Sequence, residues 1–239
     1  MSCTNTILMR SCFWQMLFGA ALLVTPMLGR SGVIEVPLND TKGWQFLHYR
    51  KIPQNAFHAT PAGLEIGVTN SAAPAVFPLT KAVEVTELRF RGKFAGVLRM
   101  PPGKQGEKGY DDYTLRVGLV ESGSRTLNWR EKAVAADWVK KLFSLAPKGT
   151  GVSRIGFFNL GTDSKQVGQT RTHPLSDLIQ ETVLAVPDAD GRFAVTNRFA
   201  RPLKVLAVWI ACDGDDTKSS FKVLLERVEL QTQLAPVRK

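Results

Sequence analysis

The chain has 239 residues, 44% hydrophobic and 22% charged, a globular balance that excludes a disordered body. The length admits one large β domain or two small ones. The formal charge of +10 biases the protein towards anionic partners, but the cations are scattered and form no nucleic-acid motif, so specific nucleic-acid binding is set aside.

The first thirty residues carry only Arg10 and Arg30 as charges, around the apolar run "CFWQMLFGAALLVTPMLG". A basic residue ahead of a short apolar stretch predicts a signal peptide over residues 1–30, and therefore a periplasmic or secreted protein. An uncleaved membrane anchor is the competing reading, because the run approaches the length of a spanning helix. Gln15, Thr25 and Pro26 favour the signal, and Arg10 shortly before Cys12 argues against a lipoprotein. Loss of this segment leaves Cys212 as the one cysteine, so no internal disulfide forms. Cys212 ends an apolar run and precedes Asp213, as a buried structural thiol would.

Residues 31–239 read as a single domain without repeats or low-complexity linkers. "VIEVPL", "WQFLHY" and "GLEIGVT" open a series of short strand signals. In Glu84–Leu98, Leu88, Phe90, Phe94 and Leu98 alternate with Glu87, Arg89, Arg91 and Lys93, the pattern of a half-buried antiparallel strand. After the loop "RMPPGKQGEKG" and the strand "YTLRVGLV", the period changes. From Asn128 to Leu145, Val134, Trp138, Val139, Leu142 and Phe143 fall at helical spacing, predicting one amphipathic helix ended by Pro147 and Gly149. Strand signals resume at "SRIGFFNLG", "IQETVLAV", "RFAVTN", "LKVLAVWIAC" and "FKVLLERVEL", and "DADGRF" has the Asp-Gly mark of a tight hairpin. The predicted fold is mainly β: an antiparallel two-sheet β-sandwich of jelly-roll type with one inserted α-helix. A closed barrel is the alternative.

No nucleophile elbow, HExxH, Walker or dinucleotide fingerprint is present, so no catalytic residues are assigned. His48 alternates with apolar neighbours and reads as a partly buried strand residue, and His173, before Pro174, as a solvated loop residue. Two carboxylate clusters remain. Asp111 and Asp112 precede a strand on which Asp112, Thr114 and Arg116 share a face. This is either a structural salt bridge or strand-end cap, or the lining of a polar groove. In the second cluster, Trp209 shares a face with Ala207, Ala211 and Asp213, which reads either as core beneath the helix or as a sugar-stacking platform. The turn "DGDDT" supplies hard oxygens for calcium at Asp213, Asp215 and Thr217, although it lacks the EF-hand spacing; a plain turn is the simpler reading.

"GYDDYTLRVGLV", the helix that follows it, and "AVWIACDGDDT" before the last strand together resemble the bacterial exported proteins grouped as domain of unknown function 3047. The resemblance places that family's G-D-D-Y-x-x-R-V strand on Asp111, Asp112, Tyr113, Arg116 and Val117, and its late D-x-D-x-T loop on Asp213, Asp215 and Thr217. It implies a jelly-roll fold and export, and it brings no agreed activity. The chain departs from the pattern in lacking the loop's usual Asn and in having Phe193 where a tryptophan is expected.

The expectation is an exported, non-catalytic β-sandwich that binds a glycan or envelope component on its concave face through Asp111, Asp112, Arg116, Trp209, Asp213 and Asp215. A polysaccharide hydrolase or lyase using Asp112 with Asp213 or Asp215 is the first alternative. A basic structural protein on an anionic membrane surface is the second. The choice turns on whether the two aspartate clusters meet.

Overall fold

The computed structural model describes residues 31–174 and 176–233, so the signal-peptide reading lies outside the described residues. In chain order the strands are β1 (Ser31–Glu35), β2 (Gln45–Phe46), β3 (Ala56–Thr60), β4 (Gly63–Thr69), β5 (Ala72–Val97) and β6 (Leu115–Gly123). Helices α1 (Trp129–Val134) and α2 (Asp137–Ser144) follow, then β7 (Gly151–Leu160), β8 (Thr170–His173), β9 (Ser176–Ala185), β10 (Arg192–Asp213) and β11 (Ser220–Gln233).

Two long strands organise the sandwich. β5 and β10 pair along both their halves, with slips between Arg198 and Leu203 and between Val205 and Ala207. The C-terminal half of β5 also pairs β11, which carries β4 and β1, and β3 extends β4. The C-terminal half of β10 pairs β6, and the order continues through β7, β9 and β8. Bending of this shared pair folds a hydrogen-bonded network of eleven strands into two layers. The pairing is antiparallel except at β7 and β9, which are parallel. This is the expected antiparallel two-sheet sandwich.

Side-chain alternation fills the space between the layers. Leu64 and Ile66 of β4, Leu88 and Phe90 of β5, and Val223 and Leu225 of β11 meet Leu115, Val117, Leu160 and Ile210 from the other sheet. Cys212 is fully buried in this cluster, and burial pushes its thiol well up, as the structural reading requires. Leu88 and Phe90 face inward while Arg89, Arg91 and Lys93 stand exposed, so the period-two reading of this stretch holds there.

Three local expectations change. The stretch Asn128–Leu145 is two helices, broken where Ala135 and Ala136 are extended. Asn128 caps α1 in a reciprocal capping box with Glu131, but α1 buries no residue and Val134 is 86% exposed. The break frees α2 to set Leu142, with Trp138 and Phe143, onto the outer face of the β6–β7 sheet. The "DADG" segment is a turn closed by Asp188 but not a hairpin, because β9 and β10 are not neighbours; it carries the chain from one sheet to the other. His48 is exposed rather than partly buried, lying beyond the two-residue β2.

The first half of β5 contains Pro74 and Pro78, which would ordinarily argue against a strand. Their partners on β10 are Ala211 and Ala207. The Pro74 carbonyl accepts from Leu47 on the β2 side, so both prolines turn their donor-less nitrogens towards that short edge. No helix among the described residues is long and apolar enough to cross a membrane.

Candidate functional site

The two aspartate clusters meet, and Arg116 is at their centre. β6 places Arg116 opposite Ala211 of β10 and Asn159 of β7, on the face away from the main core. Its Nε donates to Asp213 Oδ2 at 2.8 Å, its Nη2 lies 3.3 Å from Asp111 Oδ2, and its Nη1 is paired with Glu181 of β9. The guanidinium stacks 4.3 Å from the centroid of the Tyr113 ring. Arg171 of β8 bridges Asp111 at 2.7 Å and Glu181 at 2.6 Å, and His173 Nε2 lies 2.7 Å from Asp111 Oδ2. His173 is therefore a half-buried member of the network, not a solvated loop residue.

Asp112 has a separate task. It is 1% exposed, and its carboxylate accepts from the Thr217 amide at 2.7 Å, the Thr217 hydroxyl at 2.6 Å and the Asp216 amide at 3.3 Å. The Asp111 amide returns a bond to Asp216 at 3.1 Å. Asp112 thus caps the "DGDDT" turn, the strand-end role, and it does not line a groove. The preceding loop is pinned by the buried Gln105, which donates to the Asp112 carbonyl and accepts from Thr162. Gly106, at φ +90°, passes beneath Arg171, whose guanidinium leaves no room for a Cβ.

The electrostatics follow from this crowding. Burial alone would raise Asp111, but the His173 hydrogen bond and the Arg116 charge hold its carboxyl down at about 2. Burial pushes Asp213 up to about 7 against the pull of Arg116, and Asp112, Asp111 and Asp215 add repulsion. Asp215 is raised by burial and by Asp112. Tyr49 is raised by burial and by Asp213.

Trp209 is not a sugar platform. It is 2% exposed and packs with Val120, Phe157, Leu206 and Leu142 of α2. The slip between Val205 and Ala207 sends Leu206 and Ala207 to this outer cluster along with Trp209, while Val205 and Val208 enter the main core. Both faces of β10 are therefore core here.

Two of the residues proposed for calcium are already engaged by the protein's own groups. Asp213 Oδ2 is taken by Arg116, and the Thr217 hydroxyl donates to Asp112. Among the described residues, Asp111, His173 and Glu181 converge within 4.8 Å, but Arg116 and Arg171 lie against both carboxylates. Two guanidiniums hold the position a cation would take, and one imidazole with two carboxylates falls short of the oxygen shell calcium needs.

A second polar region has an accessible surface. Between Arg198↔Glu87 and Leu203↔Val85, β10 spends Phe199, Ala200, Arg201 and Pro202 where β5 spends only Thr86. Such a bulge re-aims side chains at a bend. Phe199, tilted against Phe158 at 5.5 Å and half-buried against the main core, lines two hollows. One, of about 230 Å³, contains Glu121, Arg154, Gln180, Thr182 and Arg201, with Glu121 and Arg154 paired at 2.7 Å. The other, of about 380 Å³, contains Thr86, Glu87, Arg89, Arg198 and Gln231. Sequence reasoning missed this groove because it draws its lining from six strands. The presence of Pro202 between two strand signals was the one local hint.

No protein-family model matches the chain, and no curated protein does; the resemblance to domain of unknown function 3047 therefore has no family match behind it. Solved structures similar to the chain include a xylan-binding module, CBM15, at 11% identity and TM-score 0.36, covering 87% of this chain and all of that one. The exoplasmic/lumenal domain of VIP36, in its Ca2+/Man3GlcNAc-bound form, has 6% identity and TM-score 0.37, covering 85% of this chain and 90% of that one. The metal-free carbohydrate recognition domain of Emp46p has 10% identity and TM-score 0.32, covering 82% and 90%. These are loose likenesses, and the two-sheet architecture above stands on its own strand pairing.

Proposed function

We propose that this protein is an exported, non-catalytic β-sandwich that binds a glycan in the Phe199 groove. The observation that carries the reading is the half-buried aromatic ring shared by two hollows furnished with amides, hydroxyls, acids and guanidines. Apolar sugar faces pack on an aromatic ring while fixed polar groups read the hydroxyls. The N-terminal signal pattern supports export. The Arg116 cluster, by contrast, serves as a polar lock that ties the 111–112 segment, β8, β9 and the last turn together. Calorimetry against a glycan panel tests the proposal: binding to at least one glycan should fall about tenfold or more in Phe199→Ala and persist in Trp209→Phe. Failure to bind any glycan, or indifference to Phe199→Ala, would overturn it.

The hydrolase or lyase alternative has one specific feature in its favour: Asp111 and Asp213, both in contact with Arg116, are driven to about 2 and about 7. Split carboxylates can divide acid and base roles. Release of new reducing or unsaturated ends from a polysaccharide, lost in Asp213→Asn, would establish that reading.

A further inference from the structure

Resting on the glycan reading, we propose that the Phe199 groove selects acidic chains, binding the carboxylates of a uronate-type polysaccharide through Arg89 and Arg198. These two arginines share one buried acid. Glu87, its side chain 7% exposed, accepts from Arg89 Nε at 2.5 Å and from Arg198 Nε at 2.6 Å. Both contacts use Nε, and the arginine side chains remain 44% and 81% exposed. One carboxylate thus holds two cations and leaves the trio with an excess positive charge. A guanidinium already oriented loses less entropy when it closes on a planar carboxylate, which it meets as a fork.

The positive excess continues on both sides. Arg91 and Lys93 follow Arg89 on the same exposed face of β5, spaced about 7 Å apart as alternate strand residues are, and Arg192 lies opposite Lys93. Arg91 is 58% exposed with only a 3.6 Å approach from Glu226. Across the bulge, Arg201 stands exposed in the first hollow, where Glu121 is already neutralised by Arg154. The strip from Arg201 through Arg198, Arg89 and Arg91 to Lys93 therefore presents cations along a path long enough for a chain. Large apolar residues that would enter a bilayer do not accompany it: Arg89, Arg91 and Lys93 alternate with the inward Phe90 and Gly92, and Phe199 is half-buried. That pattern favours an extended acidic glycan over a membrane surface.

The test compares polygalacturonate with its methyl-esterified form, which keeps the backbone and removes the charge, alongside dextran sulfate and vesicles with and without phosphatidylglycerol. The purified protein should bind polygalacturonate at least about tenfold more tightly than the ester, and added salt should weaken binding. Arg198→Ala, which leaves Arg89 paired with Glu87, should cost about tenfold in a variant that still unfolds cooperatively. Glu87→Gln tests positioning, since it removes no cation yet should weaken polygalacturonate binding and leave binding of the ester unchanged. Equal binding of both forms, insensitive to Arg198→Ala, would overturn the acidic selectivity and leave the glycan reading standing. Binding of dextran sulfate as tight as that of polygalacturonate would also overturn carboxylate recognition. Vesicle binding without any glycan binding would overturn both.

Discussion

Asp112 holds the amide and the hydroxyl of Thr217, 105 residues further along the chain, at 2.7 and 2.6 Å. A fully buried carboxylate that satisfies three donors closes the end of the sandwich where β6 begins and β10 ends. Removing it leaves three donors without their acceptor in a part-buried turn, a loss of roughly 1–3 kcal/mol. Asp112→Ala should therefore lower the unfolding free energy from urea titration by that amount, and Thr217→Val by less, because the amide bond remains. A double-mutant cycle should return a coupling of at least about 0.5 kcal/mol; additive losses would show that the pair does not act together.

Asp213 gives the fold an unusual pH dependence. Its folded-state carboxyl is raised from 3.8 to about 7, so between about pH 4 and 7 the folded chain keeps a proton that the unfolded chain has released. Its contribution is full below pH 4 and declines as pH rises through 7. Asp111, lowered to about 2, acts in the opposite sense, stabilising above pH 4 and losing that contribution as pH falls towards 2. Asp213→Asn should leave a curve that gains on the parent between pH 4 and 7, with a slope difference of at most about 1.4 kcal/mol per pH unit. Denaturant unfolding across that range measures it, and parallel curves would refute the raised carboxyl.

Trp209 and Leu142 show where burial overrides a surface role. The indole lies under α2, so Trp209→Ala should cost about 3–5 kcal/mol through the cavity it leaves, whereas Trp209→Phe should fold and bind glycans as the parent does. Loss of binding in a folded Trp209→Phe variant would return function to this face.

The sandwich was legible because alternation in Glu84–Leu98 and in the last strands reports a buried face directly. The shared bent pair was not, because Pro74 and Pro78 hide the first half of β5, and the segment from Phe199 to Pro202 splits β10 into two apparent strands. Of the site, Asp111, Asp112, Arg116 and Asp213 could be named from sequence, and only their convergence was open. Glu181, Arg171 and His173 could not, since β8 is four residues long and β9 joins β7 in parallel, a pairing that no local pattern encodes. The choice between core and platform for Trp209 depended on where α2 packs. That is a tertiary fact.

Arg116 should be the least replaceable polar residue in the protein. It is 5% exposed and contacts Glu181, Asp213 and Asp111 together. Arg116→Met keeps much of the volume but leaves those acids facing one another with Arg171 as the remaining guanidinium of the cluster, and breaking a buried pair from one side costs about 3–5 kcal/mol. Adding Glu181→Gln and Asp213→Asn removes the uncompensated charges, so the triple variant should recover a large part of that loss. Because the two guanidiniums hold the position a cation would need, EDTA or millimolar Ca2+ should leave the parent's Tm unchanged. Thermal melts of the parent, the single variant and the triple variant decide the matter. If the triple variant is no more stable than Arg116→Met, Arg116 stabilises by packing on Tyr113 and not by charge.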